Sequence, residues 1–318
     1  MSATPPNTHA GTVPSRHSVL LVFLDGIGIG SEDPRINPFI RGHLPALTEA
    51  LGGTLPTLRR AEVDGPGGRS FPIDACLGVG GTPQSGTGQI ALLTGRHAPR
   101  LFGRHFGPWP PVRLRAILEE ENVLVRAVRA GARVAFANAY PEGYPEGLDS
   151  RRVAAPPLAA RSAGVLTRHQ SALVAGDAVA SEIINKRWIE HMGSGVVPTI
   201  TPAEAGANLA RIASLHDLTL YAHYETDVAG HRGGMDGAIA ALERVDRFLG
   251  GVLERIPPEI LTLVVSDHGN IEDVRTGHTR NPVLGLALGG EAKDLEPPRS
   301  LIDVVGFLLH RLGCGEAA

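Results

Sequence analysis

The chain has 318 residues, 42% hydrophobic, 20% charged and only 4% aromatic, with 40 Gly, 25 Pro and a formal net charge of −3. That apolar fraction excludes a disordered chain, the glycines and prolines follow no collagen period, and the length suits one large or two ordinary domains. Lys plus Arg number 30 against 33 Asp plus Glu, so there is no basis for a broad grip on nucleic acid or on an anionic membrane.

Residues 1–17, MSATPPNTHAGTVPSRH, lack the basic start and apolar stretch of a secretory signal and read as a flexible tail. The longest apolar run, Val19 to Leu24, is far shorter than the roughly 20 residues that span a bilayer. Cys76 and Cys314 match no disulfide framework or metal spacing, so a reducing, cytoplasmic setting is the expectation. Strands are predicted at 18–24, 133–137, 218–223, 260–265 and 283–288, with helices at 86–94, 112–129, 202–214, 236–255 and 301–312. Continuous apolar strands alternating with helices predict an α/β fold: a mostly parallel sheet sandwiched by helices. Between residues 99 and 199 the texture changes, with joints at Pro108, Pro110, Pro111, Pro141, Pro145, Pro156 and Pro157. We read an inserted, smaller α/β cap domain over 99–199, with the core formed by 18–98 and 200–318.

Acidic and histidine residues fall at predicted strand ends. Asp25 ends the first strand, Asp227 follows the third, and Asp267 with His268 ends the fourth. The carboxyl ends of parallel strands form the ligand-binding edge of such sheets. His231 follows Asp227 in Asp-Val-Ala-Gly-His, and His278 lies in Thr-Gly-His-Thr-Arg-Asn-Pro. Carboxylate oxygens and imidazole nitrogens suit Zn or Mn, and two neighbouring ions would offset the clustered acidic charge. Each residue alone has a plainer reading, as a helix cap, a turn acid or a hydrogen-bonded histidine; the conjunction carries the weight. His105 and His223 stay unassigned.

A polar, Gly-rich turn, Thr82 to Gly88, leads into the apolar segment Ile90–Leu93. Ser85 therefore belongs at a helix N-terminus, where free N–H groups and the helix dipole favour an anion. Ser85 or Thr87 there is either a simple cap or, for Ser85, a nucleophile whose pKa a metal would lower. Gly26, Gly28 and Gly30 invite a dinucleotide-binding reading, but Ser31 stands where the fingerprint needs glycine.

Together these residues resemble the alkaline phosphatase superfamily, most closely its cofactor-independent phosphoglycerate mutase and phosphopentomutase branch. The resemblance is carried in order by Asp25-Gly26, Ser85 with Leu92-Leu93-Thr94-Gly95, Asp227 with His231, Asp267-His268-Gly269-Asn270 and His278-Thr279-Arg280-Asn281-Pro282. It covers roughly 18–98 and 200–318 and implies an alkaline-phosphatase-like core. It also implies one ion on Asp227, His231 and His278 and a second on Asp25, Asp267, His268 and the Ser85 oxygen. Ser85 would be the nucleophile, forming a phosphoserine with a small phosphorylated metabolite, most simply in a phosphatase; a phosphomutase is the alternative, then a nucleotide phosphodiesterase, then a non-catalytic metal-binding relative. The mutases carry a His where this chain has Gln89, and only Lys186-Arg187-Trp188 echoes their substrate segment. Thr87, Gln89, Lys186 and Arg187 are the candidate substrate contacts.

Overall fold

A computed structural model describes residues 17–146, 150–289, 292 and 295–314; the tail expected over residues 1–17 lies, but for His17, outside them. All six residues of β1 (Val19–Leu24) are buried, which is why the run carries no polar alternation. Val19, Leu21 and Phe23 enter one hydrophobic layer, while Leu20, Val22 and Leu24 enter the other, the period of two that a strand imposes. The remaining strands are β2 (Val63–Gly65), β3 (Gly68–Ile73), β4 (Val134–Phe136), β5 (Leu218–His223), β6 (Leu261–Val265) and β7 (Val283–Leu288). They form one seven-stranded sheet in the order β2-β3-β7-β6-β1-β5-β4.

The five predicted strands are all present. β6, β1, β5 and β4 run parallel, whereas β7, β3 and β2 extend the sheet through antiparallel pairs. The reversal at β7 has a local cause. A parallel neighbour needs a crossover, usually a helix, and residues 266–282 form only turns and a bridge between Gly269 and Thr279. The hairpin β2–β3 was not anticipated from sequence.

Helices cover both faces. Ser85–Thr94, with every residue buried, and Asp303–Arg311 lie on the Phe23 side. Pro202–Ser214 and Gly234–Leu253 lie on the Leu20 side. Thr201 and Glu204 close a capping box at the start of the former. The predicted helix 112–129 is broken at Asn122, whose Oδ1 accepts from the N–H groups of Leu124 and Val125 at 3.0 and 3.1 Å while its Nδ2 donates to Leu118 O at 2.8 Å. That single side chain closes Arg115–Glu121 and opens Val123–Arg129.

The segment 99–199, expected as an inserted cap, is joined to the main body at several points. It contributes β4 to the main sheet, in register with β5, and Leu118, Leu124, Leu158 and Ala159 enter the same hydrophobic layer as Phe23. Among the described residues it adds short helices and isolated bridges but no second sheet. Of the Pro-rich joints, Pro108, Pro110, Pro111, Pro141 and Pro145 lie in turns and loops, whereas Pro156 and Pro157 open the helix Ala155–Ser162.

Candidate metal centre

The carboxyl ends of β1, β5 and β6 deliver the predicted residues to one place. Asp25 follows β1 directly. Asp227 and His231 lie on the helix Glu225–Arg232, which begins one residue after β5. Asp267 and His268 follow β6, and His278 approaches from the loop leading to β7. Thr226 fixes the first two relative to each other, its hydroxyl donating to Asp25 O at 2.6 Å.

Ser85 is the first residue of its helix, and its Oγ lies 2.9 Å from His268 Nε2. It therefore faces the acidic cluster and is not spent as a cap on a backbone N–H. His268 Nε2 is also 3.2 Å from Asp25 Oδ1, 3.8 Å from Asp267 Oδ2 and 3.9 Å from Asp227 Oδ1. On the other side, His231 Nε2 and His278 Nε2 are 2.9 Å apart and stand 3.5 and 3.4 Å from Asp227 Oδ1. Two sets of ligand atoms converge: Asp25, Asp267 and His268, and Asp227, His268 and His278. His268 is common to both, and His231 borders the second.

The donor chemistry fits divalent cations. His278 Nδ1 is 3.1 Å from Pro83 O, a contact that keeps the proton on Nδ1 and turns the Nε2 lone pair towards Asp227 and His231. Asp25 Oδ1 is buried without a well-aligned hydrogen bond. Burial, together with the charges of Asp267 and Asp227, pushes the Asp25 carboxyl well above the usual range against the pull of His268. His268 resists burial because Asp267, Asp25 and Asp227 surround it, and it is pushed up to about 10. Burial also raises Asp227, but neighbouring His278, the His268 charge and the Asn270 side-chain donor win and bring it down to about 2. Three carboxylates packed around one protonated imidazole form a site built for more positive charge than a proton brings.

Two residues outside the predicted ligand set hold it in shape. Gln89, one helical turn after Ser85, donates its Nε2 to Asp25 Oδ2 at 3.2 Å and to Asp267 Oδ2 at 3.1 Å. It bridges two ligands, a role distinct from the substrate contact expected of it. Glu272, fully buried, was missed altogether. Its Oε2 accepts from Gly28 N at 2.9 Å and Asn270 N at 2.7 Å, and its Oε1 from Thr279 Oγ1 at 2.5 Å and Asn281 Nδ2 at 3.1 Å. The loops carrying Asp25, His268 and His278 are thereby tied to one carboxylate. The glycines after β1 serve this packing: a Cβ on Gly26 would lie 2.7 Å from Asp227 Oδ1, and one on Gly28 would lie 2.2 Å from Glu272 Oε1.

The other expected contacts divide. Thr87 is buried, its Oγ1 accepting from Phe106 N at 3.1 Å and its N–H donating to Phe106 O at 2.9 Å. It ties down the loop 104–110 and does not line the cavity at the metal centre. Lys186 pairs with Glu190 at 3.8 Å and does not line the cavity at the metal centre. Arg187 does line it, held to Glu225 at 2.5 Å. That cavity, of about 690 Å³, runs from Asp25, Ser85, Gln89 and Asp227 to Trp109, Tyr140, Tyr144 and Tyr224. His223 is buried behind the site with Nδ1 2.7 Å from Ser181 O, and burial pushes it down to about 4; His105 lines a separate cleft with Gly80 and Gln84.

Residues 194–314 match the metalloenzyme superfamily. The 2,3-bisphosphoglycerate-independent phosphoglycerate mutase of Paracoccus denitrificans is 35% identical over 129 residues, 37% of this chain and 25% of that protein. The enzyme of the same name from Desulforudis audaxviator is 36% identical over 110 residues, 31% of this chain and 21% of its own. The chain thus spans about a quarter of the length of these relatives. Among solved structures, the PH0037 protein of Pyrococcus horikoshii superposes with a TM-score of 0.57 at 14% identity, covering 95% of this chain and 98% of that one. The alkaline phosphatase of the Antarctic bacterium TAB5 gives 0.51 at 10% identity, covering 95% and 100%. No helix among the described residues is long and apolar enough to cross a membrane. The stretch 194–314, which holds Asp227, His231, Asp267, His268 and His278, carries the metalloenzyme-superfamily match, and the fold of the chain is alkaline-phosphatase-like.

Proposed function

We propose that this protein is a two-metal phosphoryl-transfer enzyme that uses Ser85 as its nucleophile on a small phosphorylated metabolite. The observation that carries the reading is the position of Ser85 Oγ, 2.9 Å from His268 Nε2 at the junction of the two ligand sets. Asp227, His231 and His278 would hold one Mn or Zn ion, and Asp25, Asp267 and His268, with Ser85, the other. Such ions, when bound, lower the pKa of a coordinated hydroxyl and neutralise charge on a transferring phosphoryl group. Ser85 Oγ gives up its proton to solvent and bonds to phosphorus as the bond to the substrate alcohol breaks; that oxygen leaves with a proton from water. Gln89 keeps Asp25 and Asp267 bridged throughout, and Trp109, Tyr140 and Tyr144 of the 99–199 stretch cover the site.

The phosphoserine is then resolved by water, in a phosphatase, or by a second substrate hydroxyl, in a mutase. Exposure of the His231 side chain, at 42%, gives water a path to that end of the site and supports hydrolysis. The name borne by the sequence relatives supports the mutase. Incubating the Mn- or Zn-loaded protein with phosphate esters and scoring free phosphate and isomerised ester in the same samples separates the two. Ser85→Ala should keep metal binding, lose phosphoenzyme labelling and lose at least a thousandfold in turnover, as removal of a nucleophile does. Full activity in Ser85→Ala would end the proposal.

A further inference from the structure

Aromatic residues are scarce in this chain, with four tyrosines and two tryptophans in 318 residues. Three of those tyrosines, Tyr140, Tyr144 and Tyr224, and one tryptophan, Trp109, line the single cavity that contains Ser85 and Asp25. Their placement is rigid. Tyr224 meets Phe23 of β1 edge to face at 6.2 Å, and Tyr140 stacks on Phe136 of β4 at 6.0 Å and 19°. Tyr144 leans on Tyr140 with ring centroids 4.3 Å apart, and it is half-buried with Trp109 still more exposed at 38%. The hydroxyls of Tyr140 and Tyr224 interact with one another in the buried part of the wall.

We infer that the substrate is a phosphate ester of a ring-bearing alcohol, its ring lying against Tyr144 and Trp109 while its phosphoryl group faces Ser85. The inference rests on the phosphoryl-transfer reading for the position of the phosphate and on the cavity wall for the ring. A cavity of about 690 Å³ is the size that encloses a ligand larger than a three-carbon acid. Beside Arg152, Arg187 and Arg232, of which Arg187 is paired to Glu225, the cavity wall offers the flat faces of four aromatic rings. Aromatic faces favour the faces of nucleobases, aryl groups and sugar rings through stacking and dispersion, largely independent of hydrogen-bond pattern. Tyr224 and Tyr140 are braced by Phe23 of β1 and Phe136 of β4 before any ligand arrives, which lowers the ordering cost of binding.

The test compares esters that share a primary phosphate and differ in the ring: a nucleoside 5′-monophosphate, glucose 6-phosphate and glycerol 3-phosphate. KM and kcat are measured on the metal-loaded wild type, Tyr144→Leu and Trp109→Ala, with calorimetric titration of the parent nucleoside and of glucose beside them. The expected KM for at least one ring ester is roughly tenfold below that for glycerol 3-phosphate, and either variant erases that advantage while leaving glycerol 3-phosphate unchanged. Preference for the nucleoside over glucose, or the reverse, names the ring. Equal KM across the three esters in the wild type, or a variant effect equal on all three, overturns the inference and leaves the phosphoryl-transfer reading intact. Saturable ring binding that the variants weaken, with no ester turned over, sustains the ring site and overturns the catalytic reading. Neither turnover nor ring binding overturns both.

Discussion

Glu272 offers the most direct test of how the metal centre is held. Its two carboxylate oxygens accept four donors, but the donors are not equivalent. Gly28 N and Asn270 N, at 2.9 and 2.7 Å from Oε2, belong to the backbone and cannot turn away. Thr279 Oγ1 and Asn281 Nδ2, at 2.5 and 3.1 Å from Oε1, can rotate or exchange donor for acceptor. Glu272→Met keeps the length of the side chain and removes both oxygens, stranding two buried backbone N–H groups at about 1–3 kcal/mol each, a loss of about 2–6 kcal/mol. Glu272→Gln keeps one oxygen towards those amides and turns its NH2 to the Thr279 side, where the hydroxyl can accept; about 1 kcal/mol of charge assistance is lost. Urea unfolding of the metal-free proteins reads the difference directly, since a change in midpoint at constant slope is a change in stability. Calorimetric titration with Mn should also show Glu272→Met binding more weakly, because the loops bearing Asp25 and His268 lose their common anchor. Equal unfolding midpoints for the two variants, with Mn affinity unchanged in both, would refute the claim that this carboxylate organises the site.

Gln89→Leu should weaken metal binding about tenfold at the Asp25, Asp267 and His268 set, as loss of an outer-shell partner does, with the stoichiometry of bound Mn as the readout; unaltered affinity at both sites would remove Gln89 from the supporting role. Gly26→Ala combines a backbone at φ +73° with a Cβ 2.7 Å from Asp227 Oδ1, so Asp227 must shift, and metal affinity should fall along with the melting temperature. Saturation with metal at a hundred times Kd should stabilise the fold by about 2.7 kcal/mol per ion, and a chelator should reverse the gain; a melting temperature indifferent to chelator counts against a preformed site. Burial holds His223 near 4 in the folded protein against about 6.5 unfolded, so between those values the unfolded chain binds the extra proton. The contribution is therefore intact above about pH 6.5 and is lost as pH falls towards 4, up to about 3 kcal/mol. His223→Asn keeps a donor towards Ser181 O and should flatten this part of the pH profile; identical profiles for wild type and variant would show that another group is responsible.

What the sequence made legible, and what it did not, follows from the kind of signal each feature leaves. β1, β5 and β6 are buried along their whole length, so each is a mostly apolar run, and an acid just beyond such a run stands out. Asp25, Asp267 and His268 are legible for that reason, and Asp227 with His231 because their spacing of four puts both on one helix face. β3 reads Gly-Arg-Ser-Phe-Pro-Ile; its Pro72 and polar residues hide a strand at the antiparallel side of the sheet, where one face carries less of the core. The prolines over 99–199 stand out in sequence, whereas the strand β4 that joins this stretch to the main sheet is only three residues long, too short to register as a pattern. Glu272 looks like any loop carboxylate until its four donors, separated in sequence from Gly28 to Asn281, are brought together by the fold. Gln89 follows the same logic: its position four residues after Ser85 places it on the serine's face of the helix, but its meaning depends on two aspartates that end different strands. Ligands that chemistry requires are thus visible in composition and spacing, whereas the groups that hold those ligands are defined by contacts between distant loops. The cavity wall lies between these cases. Tyr140 and Tyr144 sit four apart in Ala-Tyr-Pro-Glu-Gly-Tyr-Pro, a concentration of tyrosine in an aromatic-poor chain that marks the segment, yet it takes the fold, with this segment following β4, to bring those rings into one cavity with Ser85.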